Sequence, residues 1–161
     1  MDDYRTIEVE MARRFGVEAQ STRKSIGDFF IDNDPTKPVN VKSNNLAKKN
    51  YSPNIISGKK LIEWVHQKGN DLYFIFADYK KTKQGLDIVN VTDLVPFFHI
   101  SWNCLTIEAQ GWGVIQMYKP LELNTSQSKE EFFRDMKIAY EKYMNKESKK
   151  MEQIKEMIKD F

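Results

Sequence analysis

An α/β fold, a central mixed β-sheet flanked by helices, is the architecture this sequence predicts, and three features carry the prediction. Apolar residues at Tyr4, Ile7, Met11 and Phe15 recur at spacings of three and four, which marks an amphipathic helix at the start of the chain. The run Leu72-Tyr73-Phe74-Ile75-Phe76-Ala77 is almost continuously apolar, as in a strand covered on both faces. After Pro120 the composition turns charged and helix-forming. Strands interleaved with helices in this way give a sheet with helices on its faces. At 161 residues with 40% apolar content, a single compact domain is expected, with residues 1–125 as α/β core and 126–161 as a C-terminal helical segment.

Taken in order, the first helix runs from Asp2-Asp3-Tyr4 to Phe15 and stops at Gly16. Ala19 to Ser25 is polar and basic, and Ser21, Arg23 and Lys24 have the hydroxyls and cations that meet a phosphate backbone. Gly27 to Asp32 and Val39 to Ser43 read as a hairpin around the turn formers Asn33 to Pro38. Alternation sets Asp28, Phe30 and Asp32 on one face of the first strand, and Asn40 and Lys42 together on the second. A turn centred near Pro35 and Thr36 would lay Asp28 beside Lys42 and Ser43.

Ser57-Gly58 opens a short helix with a Leu61, Trp64, Val65 stripe that ends at Gly69-Asn70; His66 beside it reads as structural. Lys80 to Gly85 reads as a basic turn before a strand from Leu86 to Val91. Phe97 to Lys119 is strand-like, with Gln110-Gly111-Trp112-Gly113 as the turn between two strands. Ser128-Lys129-Glu130-Glu131 is a capping box, and Phe133, Met136, Tyr140, Tyr143 and Met144 follow at helical spacing. Residues 145–150 contain no apolar side chain, which predicts a kink or two helices. Met151, Ile154, Met157, Ile158 and Phe161 then resume the stripe, available to a dimer.

The hairpin gathers an acid, a neutral oxygen ligand and an ammonium, a set suited to phosphodiester hydrolysis. Mg²⁺ takes one or two protein carboxylates and keeps several waters, so Asp28 with the amide oxygen of Asn40 is a workable site. A neighbouring lysine can orient the attacking water, or accept its proton if burial and the metal lower its pKa.

The arrangement Gly-Asp-Phe-Phe-Ile, loop, Val-Asn-Val-Lys-Ser resembles the PD-(D/E)XK nucleases, which include many type II restriction endonucleases and archaeal Holliday-junction resolvases. Asp28 matches that family's first acid, Lys42 its lysine and Ser43 the serine that often follows. Asn40 stands where an acid is usual, as in some restriction enzymes of the superfamily, and Gly27 replaces the proline. The resemblance implies a restriction-endonuclease-like core, with Mg²⁺ held by Asp28, Asn40 and the main-chain carbonyl of Val41. It also implies a glutamate on the first helix; Glu8 borders the apolar stripe whereas Glu10 turns toward solvent, which selects Glu8. The implied activity is sequence-specific cleavage of double-stranded DNA to 5′-phosphate and 3′-hydroxyl ends by a homodimer, with a cognate DNA methyltransferase in the same cell. Two alternatives stay open: a structure-selective repair or recombination nuclease, and a non-catalytic DNA-binding module whose metal site Asn40 has degraded.

After Ser43 the segment Asn44-Asn45-Leu46-Ala47-Lys48-Lys49-Asn50-Tyr51-Ser52-Pro53-Asn54 is rich in amides and cations, and it is the leading candidate for DNA contact. Asn44, Asn45 and Asn50 suit adenine edges, Lys48 and Lys49 suit guanine or phosphate, and Tyr51 suits stacking. A formal charge of +2 is no nucleic-acid signature by itself, because distribution outweighs the sum. A lone cysteine, Cys104, rules out an intramolecular disulfide and reads as core. His99, Ser101 and Cys104 lack a matching acid, which argues against a nucleophilic hydrolase. With no apolar stretch near 20 residues and an acidic start, no membrane role and a cytoplasmic location are expected.

Overall fold

The computed structural model describes residues 2–21 and 26–161. Helix α1 (Asp3–Arg14) starts on an Asp2 cap, whose carboxylate accepts from Arg5 N at 2.8 Å. It ends at Phe15, and Gly16 takes φ +71°, the left-handed conformation that closes many helices. The expected stripe packs through Ile7, Met11 and Ala12, while Tyr4 and Phe15 at its ends stay exposed.

The main sheet contains β1 (Phe29–Phe30), β2 (Pro38–Asn45), β4 (Tyr73–Thr82), β5 (Gly85–Val91) and β6 (Val95–Pro96). Its order is β1-β2-β4-β5, with β6 on the other stretch of β4. Strands β2 and β4 are parallel and the remaining pairs antiparallel, so the sheet is mixed. A parallel pair needs a long crossover, supplied here by β3 (Asn54–Ser57), helix α2 (Gly58–Leu61) and its π-helical continuation Ile62–Gln67. The Ser57 hydroxyl caps α2, as its sequence signal indicated.

Strand β4 explains its own apolar run. Ile75, Ala77 and Tyr79 face α1, where they join Ile7, Met11, Phe29, Val39 and Val41. Phe74 and Phe76 face the opposite core, with Leu61, Val65, Ile115 and Phe132. Tyr79 also ties α1 to the sheet, its hydroxyl donating to Asp3 Oδ2 at 3.2 Å. The mixed α/β class is therefore present, but a second sheet, and not helices alone, covers the far face. There β3, β7 (Leu105–Glu108) and β8 (Val114–Met117) form an antiparallel sheet in the order β3-β8-β7. The glycine-rich turn between β7 and β8 is where the sequence put it.

Four expectations need correction. The first hairpin strand is only Phe29–Phe30, because Asp32 and Asn33 take φ of +51° and +58° and turn the chain early. Asp and Asn tolerate that region better than other side chains. Asp34 then fixes the turn, accepting from Thr36 N at 2.9 Å and Thr36 Oγ1 at 2.7 Å. Pairing Phe29 with Val39 consequently centres the hairpin on Asp34, so Asp28 lies across from Asn40 and Val41 and not from Lys42 and Ser43. Asp32 is an exposed turn residue and not part of the strand.

Lys80, Lys81 and Thr82 belong to β4, leaving Lys83 and Gln84 as the turn. Helix α3 (Lys129–Ile158) is one continuous helix of 30 residues. Its charged middle neither kinks nor divides it, since ion pairs at i,i+3 such as Lys150–Glu147 and Lys155–Glu152 suit a helix surface. Phe132 and Met136 anchor it in the core, whereas Met151, Ile154, Met157 and Ile158 are exposed. The Ser128–Glu131 capping box is formed in both directions. Cys104 is buried, as expected. Among the described residues no helix is long and apolar enough to cross a membrane.

Candidate active site

The local backbone determines where the acid of the hairpin points. Asp28 N donates to Val39 O at 2.8 Å, and Asp28 Oδ2 accepts from Val41 N at 2.6 Å. Val41 N–H therefore faces β1, and its carbonyl faces the same side, because the two main-chain groups of a strand residue share a direction. Val39 and Val41 bury their side chains against α1, which leaves Asn40 and Lys42 on the opposite face of β2. Gly27 makes the close approach possible. A Cβ there would lie 2.6 Å from Pro38 Cβ and 3.0 Å from the Phe29 carbonyl oxygen, so a residue with a side chain would push the hairpin apart.

Glu8 arrives from α1 and shares a carboxyl hydrogen bond with Asp28. Its Oε2 accepts from Arg5 Nη1 at 3.3 Å, and the same guanidinium nitrogen donates to Gln20 O at 2.6 Å. Arg5 thus clamps the segment before the hairpin onto α1 beside both acids, a role the sequence reading missed. Its spacing of three residues from Glu8 was visible, but its contact with Gln20 is non-local. Glu10, by contrast, pairs with Arg13 at 2.7 Å and with Arg14, and the Arg13 hydrogen bond holds its carboxyl at about 2. The helical angle separated these two glutamates correctly.

Burial raises the Asp28 pKa, and the Val41 N–H, Lys42 and Arg5 oppose it. Burial likewise pushes the Lys42 ammonium below its ordinary value, against the pull of Asp28 and Glu8. An acid that retains its proton more readily thus stands in the field of a lysine that loses its own more readily. A lysine whose pKa is lowered by burial is a better proton acceptor than an exposed one.

Glu8, Asp28, Asn40, Val41 and Lys42 all line one open cleft of about 700 Å³. Its donor set fits a hard divalent cation: two adjoining carboxyls, the Asn40 amide and the Val41 carbonyl direction. Among the described residues no three acids, histidines or cysteines cluster, so the third side-chain donor here is the neutral Asn40.

The residues expected to contact DNA divide. Lys48, Asn50, Tyr51 and Asn54 of the expected segment line the cleft, joined by Tyr4 and Lys60, which were not expected to contact DNA. Ser43 lines it too, but at 6% exposure it is buried and offers little hydroxyl to a ligand. Asn44 donates to Asp78 Oδ1 at 3.1 Å, and Asn45 Oδ1 accepts from Ala47 N at 3.0 Å, so both amides hold the loop as well as line the cleft. Lys49 borders a neighbouring cavity. Ser21 is exposed, and Arg23 and Lys24 lie outside the described residues.

No protein-family model matches the chain, and a search of curated proteins finds none similar to it.

Proposed function

We propose that this protein is a Mg²⁺-dependent endonuclease of the type II restriction class, acting on double-stranded DNA through a PD-(D/E)XK-like site with asparagine at the second acid position. The observation that carries the reading is the meeting of Glu8, Asp28 and Lys42, drawn from α1, the approach to β1, and β2, in one open cleft. A restriction-endonuclease-like core is the finer fold assignment that this reading adds to the mixed α/β architecture.

In this proposal Asp28, Asn40, the Val41 carbonyl and Glu8 hold the cation. A bound Mg²⁺ would supply Lewis-acid stabilisation of the charge that develops on the phosphoryl oxygens. Lys42 positions the attacking water and takes up its proton, which its lowered pKa favours. Arg5 keeps Glu8 and the hairpin in register. Lys48 and Lys60 on the cleft wall attract the phosphate backbone, and Asn50 and Asn54 can meet base edges. The exposed apolar half of α3 supports a homodimer, whose two-fold symmetry suits a palindromic site. A methyltransferase that protects host DNA belongs to the same proposal, as does action in the cytoplasm.

The test is incubation of purified protein with unmethylated phage or plasmid DNA and Mg²⁺, with a Lys42→Ala variant alongside. Discrete bands that vanish in the variant are expected. Intact DNA across metals and salt concentrations would refute the proposal, and cutting of branched DNA alone would replace it with a structure-selective nuclease.

A further inference from the structure

A second cavity of about 590 Å³ adjoins the cleft and shares Asn44, Asn50, Tyr51 and Ser52 with it. It sits toward the C-terminal ends of the parallel strands β2 and β4, the side of an α/β sheet where ligands usually bind. Phe76, Ala77 and Met117, all buried, give it an apolar base, and Tyr118 stands on its wall with the Lys119 ammonium 5.2 Å from the ring centre. Tyr51 lines both cavities.

One carboxylate, Asp78, faces this apolar setting. Its Oδ1 accepts from Asn44 Nδ2 at 3.1 Å and its Oδ2 from Asn90 Nδ2 at 3.4 Å. A carboxylate oxygen has two acceptor sites, so each oxygen keeps one for a ligand. An apolar base, two tyrosines and one acceptor pair make a pocket for a flat heterocycle that carries N–H donors.

We propose that this cavity receives one unstacked base of the DNA strand held in the cleft, and that Asp78 makes guanine the preferred base. The inference rests on the nuclease reading above and specifies its substrate contact. A base inside a duplex shows only its edges, so filling a concave pocket requires the base to leave the stack. Tyr51 and Tyr118 supply stacking surfaces, which accept any base. Selection then falls to Asp78. Guanine offers N1–H and N2–H side by side to both carboxylate oxygens, whereas adenine sets an acceptor nitrogen beside its amino group and thymine flanks its single N–H with carbonyls.

The test uses fluorescein-labelled thymidine octamers carrying a central guanine, adenine or cytosine, or none, titrated against the full chain in EDTA and followed by anisotropy. The guanine octamer should bind about tenfold more tightly than the others. Asp78→Asn should erase that preference while the all-thymidine octamer keeps its affinity within about twofold. Tyr118→Ala, at an exposed position, should weaken the guanine octamer about fivefold or more if the first variant fails to fold. Free deoxyguanosine monophosphate should compete only at concentrations about 100-fold above the octamer Kd, since it lacks the strand in the cleft.

Equal affinity for every octamer, a guanine preference that survives Asp78→Asn, or mononucleotide competing as well as octamer would overturn the inference. Binding is read here without cleavage. Guanine preference in a protein that never cuts DNA would therefore sink the nuclease reading and leave the pocket standing.

Discussion

Ten millimolar MgCl₂ at pH 8 should raise the melting temperature of the wild-type protein and leave Asp28→Asn unmoved. Two carboxyls, one amide and one carbonyl make a modest Mg²⁺ site, for which a Kd of about 1 mM is a reasonable scale. At tenfold excess the stabilisation is RT ln 11, about 1.4 kcal/mol. For a chain of 161 residues, each kcal/mol moves the midpoint by about 2–4 °C, so the expected rise is about 3–6 °C. The effect should shrink as pH falls, because burial raises the Asp28 pKa and cation and proton compete for the carboxyl pair. The raised pKa has a second consequence in the absence of metal. Its contribution to stability is complete below the ordinary aspartate pKa and is lost as pH rises through the folded value. At pH 8 the wild type therefore carries a penalty that Asp28→Asn lacks, and the metal-free variant should melt no lower. Differential scanning fluorimetry with NaCl at matched ionic strength reads both effects. An equal Mg²⁺ shift in the two proteins, or none in the wild type, would refute the assignment of Asp28 as a ligand.

Three further outcomes follow from the same geometry. Lys42→Met keeps the aliphatic bulk and removes an ammonium whose folded pKa is lowered, a group whose stabilising contribution is present only above the ordinary lysine pKa and is lost as pH falls through the folded value. At pH 7 the variant should match or exceed wild-type stability in urea while Mg²⁺-dependent cleavage drops by about 100-fold or more. Gly27→Ala forces its Cβ against Pro38 and the Phe29 carbonyl, and should cost about 1–3 kcal/mol in denaturant titration together with most of the cleavage. Ending the chain after Met144 removes a segment that is almost wholly exposed. It should shift the melting temperature by no more than about 2 °C and, if the proposed homodimer forms through this half of α3, leave a monomer in light scattering.

What the sequence made legible was whatever depends on local periodicity. The α1 stripe, the doubly covered β4, the Ser57 cap and the Ser128–Glu131 box all follow from spacing, and all are present. Of the second sheet only the β7–β8 hairpin was legible; β3 was not, because it is four residues long and its pairing with β8 joins positions about sixty residues apart. The hairpin register failed for a subtler reason. Asp32, Asn33 and Asp34 each stabilise turn conformations, and no local pattern decides which of them the chain uses. At the site, choosing Glu8 over Glu10 needed only a helical angle, whereas Arg5 owes its role to a main-chain carbonyl fifteen residues away.

The electrostatics of the cleft argue that these residues are kept for something other than holding the fold together. In an ordinary structural ion pair each partner favours the charged form of the other, so the acid titrates lower and the base higher. Glu10 and Arg13 do this on the far side of α1, with the glutamate held at about 2 and the arginine raised. Asp28 and Lys42 do the reverse: burial outweighs their mutual attraction, the aspartate titrates higher and the lysine lower. Each of these groups, taken alone, opposes folding at neutral pH, and apolar or amide replacements would relieve the cost. Groups set against one another in this way are characteristic of sites that bind a cation or move a proton. In the proposed function, an open cleft with lysines on its walls and a hairpin backbone locked behind the acid would give that arrangement a phosphodiester to act on.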